Sequence, residues 1–329
     1  MKVFVPLVAV AAIFLLALIL GGIPHLQFLI GVVIPYAAII IFIAGFVARI
    51  MDWFKSPVPF CIPTTCGQQK TLPWIKNNEL ENPSKGSSVI MRMALEVLLF
   101  RSLFRNTFSE IRDGRLVHSS RKWLWLGAIV FHATFFTVLL RHMRLFVEPV
   151  PRCLHVVELL DSFMQIGTPI LYMSGVILLL ATVYLFARRI HIPQVKYISL
   201  PADYFPLFLI FAIALSGIFM RYFTKVDIVG VKQFIMGLVT LSPRIQPGIG
   251  TIFYAHLLLV CTLLAYFPFS KLMHAGGVFF SPTRNMANNS RIVRHINPWN
   301  YKVKVHTYEE YEDEFREKMR KAGLPLDKE

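Results

Sequence analysis

Four histidines occupy stretches where histidine is scarce. His132 and His142 lie ten residues apart in FHATFFTVLLRHMRLF (131–146), and His256 and His274 lie 18 apart in and just after a second apolar run. An ionisable group at membrane depth is costly, so such a residue is either a hydrogen-bonded packing group or a functional one. Four of them in two segments need a common cause. Imidazole is a good axial ligand for haem iron, and cofactor sites in helix bundles are built from side chains on facing helices. Antiparallel pairing of the two segments sets His142 opposite His256 and His132 opposite His274. The reading that follows is two bis-histidine b-type haem sites at two depths, with all four histidines as metal ligands. Helix arithmetic tests it in part: 18 residues span about 27 Å and ten about 15 Å with roughly 80° of rotation. Pro268, between His256 and His274, can bend or end the helix and so remove the mismatch of about 12 Å.

The elements that must position these residues are membrane spans. With 55% hydrophobic and 16% charged residues over 329, the chain lies outside the range of soluble domains, and lipid is the solvent for much of it. A bilayer crossing needs about 20 mostly apolar residues, which places six helices at 3–22, 28–50, 123–145, 166–187, 203–223 and 250–270. Lys2 precedes the first run as in a signal peptide, but the run is long and no small-x-small cleavage site follows, so it is read as a retained anchor. The expected organisation is two N-terminal spans (1–50), a cytoplasmic loop with an amphipathic helix (51–122), a four-helix haem-binding bundle (123–270) and a cytoplasmic tail (271–329). Under this topology 27 of the 34 Lys and Arg residues fall on the side that holds both termini, which makes that side the cytoplasm and the protein a multi-pass resident of the cell membrane. The net charge of +15 then reflects topology and anionic lipid, with no nucleic-acid partner.

Other segments carry weaker signals. Cys61 and Cys66, in FCIPTTCGQQK, are too few to complete a zinc or iron–sulfur site alone, and Cys153 and Cys261 fall elsewhere, so no disulfide framework is implied. They either complete a site with a partner chain or are ordinary thiols in a turn. VIMRMALEVLLFRSLFR (89–105) predicts an interfacial helix with Arg92, Arg101 and Arg105 toward head groups or a partner, or else a packing helix. Thr307 and Glu310 form a capping box that opens YEEYEDEFREKMRK, and Gly323 and Pro325 stop it. Met143 and Met273 beside two of the histidines could ligate through their thioethers, as in some cytochromes, but are read as packing residues. No nucleophile or phosphate-loop constellation is present, so any enzyme label belongs to a complex.

The 10- and 18-residue histidine spacings resemble the ligand pattern of the NarI-like cytochromes b, the gamma subunits of respiratory nitrate reductase. FCIPTTCGQQK, LPWIKNNELENPSKG, RMALEVLLFRSLFRNT and NPWNYKVKVHTYEEYEDEFREKM extend the resemblance to the DsrM/HmeC-type membrane cytochrome b subunits of the sulfite-reduction-associated complex of sulfate-metabolising prokaryotes. That resemblance implies two b haems, quinol oxidation near the outer haem, menaquinol as the quinol, and electron delivery to a cytoplasmic iron–sulfur subunit related to heterodisulfide reductase. Further membrane and extracytoplasmic subunits belong to the same complex. The fold class is then an all-α, six-span NarI-like dihaem bundle. Arg141 and Arg144 stand where haem propionates or a quinone head group need positive charge, or simply snorkel to the interface. A quinol loses two protons with its two electrons, so its site needs bases. PVPRCLHVVELLDSF (149–163) offers Arg152, His155, Glu158 and Asp161, of which His155 and Glu158 are the favoured proton acceptors; His25 is a weaker one. His118, His191, His295 and His306 need no special role. The alternatives are a quinone-reducing cytochrome b of a hydrogenase or formate dehydrogenase, and a haem-free scaffold or proton relay. A reduced-minus-oxidised visible spectrum separates them.

Overall fold

The computed structural model describes residues 2–56, 69–70, 72, 74–281, 283–289, 302 and 305–328. Cys61, Cys66 and His295 lie outside the described residues.

Among the described residues six helices are long and apolar enough to cross a membrane: α1 (Phe4–Gly21), α2 (Pro24–Phe54), α5 (Lys122–Leu145), α7 (Met173–His191), α9 (Pro201–Thr224) and α11 (Thr251–Phe269). Between α2 and α5 stand α3 (Gly86–Leu99), α4 (Arg101–Phe104) and an antiparallel hairpin, β1 (Thr107–Arg112) and β2 (Arg115–Ser120). Short helices fill the remaining connections: α6 (Arg152–Asp161), α8 (Pro193–Ile198), α10 (Ile228–Val239) and α12 (His274–Gly277); α13 (Tyr308–Lys321) closes the chain. Large apolar side chains such as Leu15, Ile40, Phe136 and Leu180 stay exposed, as suits helices whose surroundings are hydrocarbon.

The bundle is held by three apolar clusters. Phe131 of α5, Leu178 and Ala181 of α7 and Ile210 of α9 form one. Val10 of α1, Leu209 of α9 and Leu259 of α11 form a second. The third joins Ile30 and Val32 of α2 to Phe234 of α10 and Tyr254 of α11. Gly45 lets α2 approach the end of α11 closely, since a Cβ there would meet Pro268 at 2.8 Å. One end of the bundle is tied by Asp203 at the start of α9. Its side chain accepts from the Leu200 N–H at 2.9 Å and from Lys271 Nζ at 2.6 Å, with Arg189 of α7 at 3.7 Å. Lys2 donates to the Tyr197 carbonyl at this same end.

Four sequence expectations change. The fourth span begins at Met173, because Gly167 at φ +82 and Pro169 keep the chain before it non-helical. The 89–105 helix breaks at Phe100, which adopts φ 49 and leaves α3 and α4 as separate pieces. Arg101 and Arg105 turn to Glu81 rather than outward, and Arg92 is buried. The hairpin was not anticipated, although Asp113 and Gly114, both at positive φ, are a two-residue turn of the type that closes one. At the C-terminus the capping box is present as expected, with Thr307 Oγ1 accepting from the Glu310 N–H and the Glu310 side chain accepting from the Thr307 N–H.

Candidate functional site

α5 presents His132 and His142, and α11 presents His256, on helices that lean on different neighbours: α5 on α7, and α11 on α1, α2 and α9. α11 does not continue to His274. It tightens into a 3₁₀ turn at Phe267–Phe269, and Ser270 is extended at φ −123, ψ 176, before a further 3₁₀ turn leads into α12. Pro268 lacks the N–H that a continuing helix needs. With the helix ended there, the chain is free to change direction, and His274 comes beside His132. The His132 and His274 rings stand 6.0 Å apart centre to centre, and those of His142 and His256 stand 6.4 Å apart.

These separations suit an ion between each pair. A ring nitrogen binds a metal at about 2.0 Å and lies about 1.1 Å from its ring centre, so two imidazoles on opposite sides of one ion stand about 6 Å apart. The hydrogen bonds point the same way. His132 Nδ1 bonds to the Ala128 carbonyl at 2.8 Å, His142 Nδ1 to the Val138 carbonyl at 2.7 Å, His274 Nδ1 to the Lys271 carbonyl at 2.7 Å and His256 Nδ1 to Ser216 Oγ at 2.9 Å. A carbonyl can only accept, so in the three carbonyl-bound rings the proton is on Nδ1 and Nε2 is left bare, the atom that could ligate a metal. Helical side chains lean toward the N-terminus, which is why both α5 rings reach the carbonyl four residues back. Among the described residues no group of three or more His, Cys, Asp or Glu side chains could hold a metal. Each pair could offer two nitrogens to an ion that brings its remaining ligands with it, as the iron of haem does. The edges of Phe100 and Phe131 close on His132 at 5.0 and 5.2 Å.

Beyond His142, Arg141, Arg144 and Lys232 are paired with carboxylates of the chain. Arg141 Nε meets Asp161 Oδ2 at 2.7 Å, and Asp161 also accepts from the Ser174 N–H and hydroxyl at 2.6 and 2.5 Å. The guanidiniums of Arg141 and Arg221 lie 3.8 and 4.2 Å from the Tyr172 ring centre, while Tyr222 Oη accepts from the Tyr172 N–H. Arg144 Nη1 donates to Glu158 Oε1 at 2.6 Å, and His155 Nδ1 is 3.8 Å from the other Glu158 oxygen. Lys232 of α10 pairs with Glu148. Arg144, Glu148, Lys232, Gln233 and Met236 line a cavity of about 380 Å³.

Thus His155, Glu158 and Arg144 come together, whereas Asp161 belongs to Arg141. Both arginines hold protein carboxylates rather than standing unpaired at the interface. His25 is exposed in the first turn of α2. Met273 is buried as expected of a packing residue, but Met143 is exposed. Ser174, Tyr172, Arg221 and Ser216 were not anticipated; only Arg221, a charge at a span end, carries a signal of its own.

Residues 94–296 match the nitrate reductase gamma subunit family. The chain belongs to that family. The match runs from within α3 to beyond α12 and contains all four histidines; α1 and α2 precede it. Similarity to two curated proteins is more extensive. One, from Archaeoglobus fulgidus, is 45% identical over 276 residues, 82% of each chain, and is described as an Hdr-like menaquinol oxidoreductase cytochrome b-like subunit. Another from Archaeoglobus profundus, described in the same words, is 41% identical over 273 residues, 81% of each chain. Family membership and six apolar helices together make this a multi-pass membrane protein of the NarI-like helical class.

Proposed function

We propose that this chain is the dihaem b-type cytochrome subunit of a complex that oxidises menaquinol near the outer membrane face and delivers electrons to a cytoplasmic iron–sulfur partner related to heterodisulfide reductase, within dissimilatory sulfur metabolism. The observation that carries the reading is the pair of ring separations, 6.4 and 6.0 Å, with all four Nδ1 atoms bonded. The printed descriptions of the two relatives support the quinol and the Hdr-like setting. Haem b, when bound by His142 with His256 and by His132 with His274, would supply a one-electron carrier at each of two depths.

The chain's own residues supply the rest. The outer mouth at Arg144 combines the Arg144–Glu158 and Lys232–Glu148 ion pairs with an apolar wall at Val229 and Met236, a lining that suits the hydroxyl-bearing ring and apolar chain of a quinol. Oxidation of the quinol releases two protons for its two electrons. Glu158 and His155, 3.8 Å apart, accept them at the aqueous edge, and Arg144 orients the carboxylate. With both termini cytoplasmic these protons leave outward while electrons move inward. The 51–122 loop and the 271–329 tail then face the iron–sulfur partner, and the exposed apolar helix faces accommodate lipid and other membrane subunits.

The test is a reduced-minus-oxidised spectrum of the full chain in its membrane. Two b-type components are expected; His142→Ala should remove one and retain the other. A wild-type spectrum without a b-type band overturns the reading.

A further inference from the structure

Three of the four histidines give Nδ1–H to a backbone carbonyl, which no substitution can remove. His256 differs: its Nδ1 meets the hydroxyl of Ser216 on α9 at 2.9 Å, a side-chain partner that the other rings lack among the described residues, with the Ile213 carbonyl also near the ring. Ser216 Oγ lies 2.7 Å from the Ala212 carbonyl and 3.0 Å from the Ile213 carbonyl. A hydroxyl has one hydrogen, and carbonyls only accept, so the hydroxyl donates down its own helix and accepts from His256. The order is therefore His256 Nδ1–H to Ser216 Oγ, and Ser216 Oγ–H to the backbone. This leaves His256 Nε2 without a proton and directed away from α9.

The neighbouring residue fits the same task. A Cβ on Gly217 would lie 3.4 Å from His256 Cε1, so the Ser216–Gly217 step gives the ring both its hydrogen-bond acceptor and its clearance. Ser216 is buried, and water does not compete for the bond.

We propose that Ser216 is a positioning residue that fixes the tautomer and orientation of His256 and, through it, sets the reduction potential of the outer haem separately from the inner one. The proposal rests on the reading of His256 as a haem ligand. The physical link is ligand basicity. An imidazole whose far N–H is held by an acceptor donates more strongly to iron and favours the ferric state, and removing that acceptor favours the ferrous state. The other three rings, bonded to carbonyls, lack any such adjustable contact among the described residues.

The experiment is a potentiometric titration of the full-length protein in membranes, followed by visible and low-spin ferric magnetic-resonance signals. The outer component is defined as the one that His256→Ala removes. Ser216→Ala should raise the midpoint of that component alone and alter its ferric signal. Ser216→Cys, similar in size and a weaker acceptor, should move it the same way by less, and it carries the test if the alanine variant does not accumulate. Ser216→Thr, which keeps the hydroxyl, should titrate as wild type. An unmoved outer midpoint in Ser216→Ala or Ser216→Cys, or equal movement of both components, overturns the role. Two wild-type b components with unresponsive Ser216 variants defeat this inference only, whereas a wild-type protein without haem defeats the reading beneath it.

Discussion

Each histidine of the two pairs is held by a second contact, and the arginines nearby are held as firmly. Asp161 shows the strength of this. It is buried, it receives two bonds from Ser174, and it balances Arg141, which is itself largely covered and lies over Tyr172. Breaking a buried ion pair by removing one partner leaves an uncompensated charge and costs about 3–5 kcal/mol. Asp161→Ala should therefore lower the thermal unfolding midpoint in detergent well beyond the change in Glu148→Ala, whose carboxylate is exposed. The histidines were legible because spacing and depth single them out in the chain. The partner of Arg141 was not, because which of Glu158 and Asp161 reaches which arginine depends on how α6 folds back on α5. Ser216 was invisible for another reason: a serine in an apolar helix ordinarily bonds the carbonyl four residues back, and only the arrival of α11 gives its oxygen a second task.

Connecting segments carry the features that sequence periodicity reads least well. The spans were legible within a few residues, since twenty apolar positions leave little choice, yet the start of α7 was misplaced by turn residues embedded in apolar sequence. The break after α11 was half legible, as Pro268 marks it but does not say that Ser270 extends. In the segment before α3, Glu79 organises a turn by accepting from the Ser84 N–H and hydroxyl at 3.0 and 2.7 Å and from Asn77 at 3.1 Å. Partial burial pushes its carboxyl pKa up, but the bonds from Ser84, Asn77 and Ser88 outweigh that and hold it at about 2 against an ordinary 4.5. A folded-state value below the unfolded one stabilises the turn above about pH 4.5, and the contribution is lost as pH falls toward 2. Amide exchange at Ser84 should stay slow from pH 7 to 5 and lose protection below 4.5, a loss that Glu79→Gln should mimic at neutral pH.

For the whole molecule, the proposed orientation rests on where Lys and Arg accumulate, and it is open to a direct check. Cys153, on α6, is exposed, while Cys261, in α11, is buried. In intact cells a membrane-impermeant maleimide should label Cys153 from outside and leave Cys261 unmodified; labelling of Cys153 only after lysis would invert the topology. Six-span organisation was legible from the lengths of the apolar runs, but the mutual placement of helices was not, because lipid-facing and protein-facing sides are equally apolar. One consequence concerns motion. With the proposed haems bound, α5 would be pinned at two points ten residues apart and pointing about 80° away from each other. A rod held in this way could neither spin nor slide without unseating one ring, which would make it the stator of the bundle. Any adjustment between the two depths would then fall to the jointed segment after Ser270, and strain arriving from the tail side would reach His274 before His256.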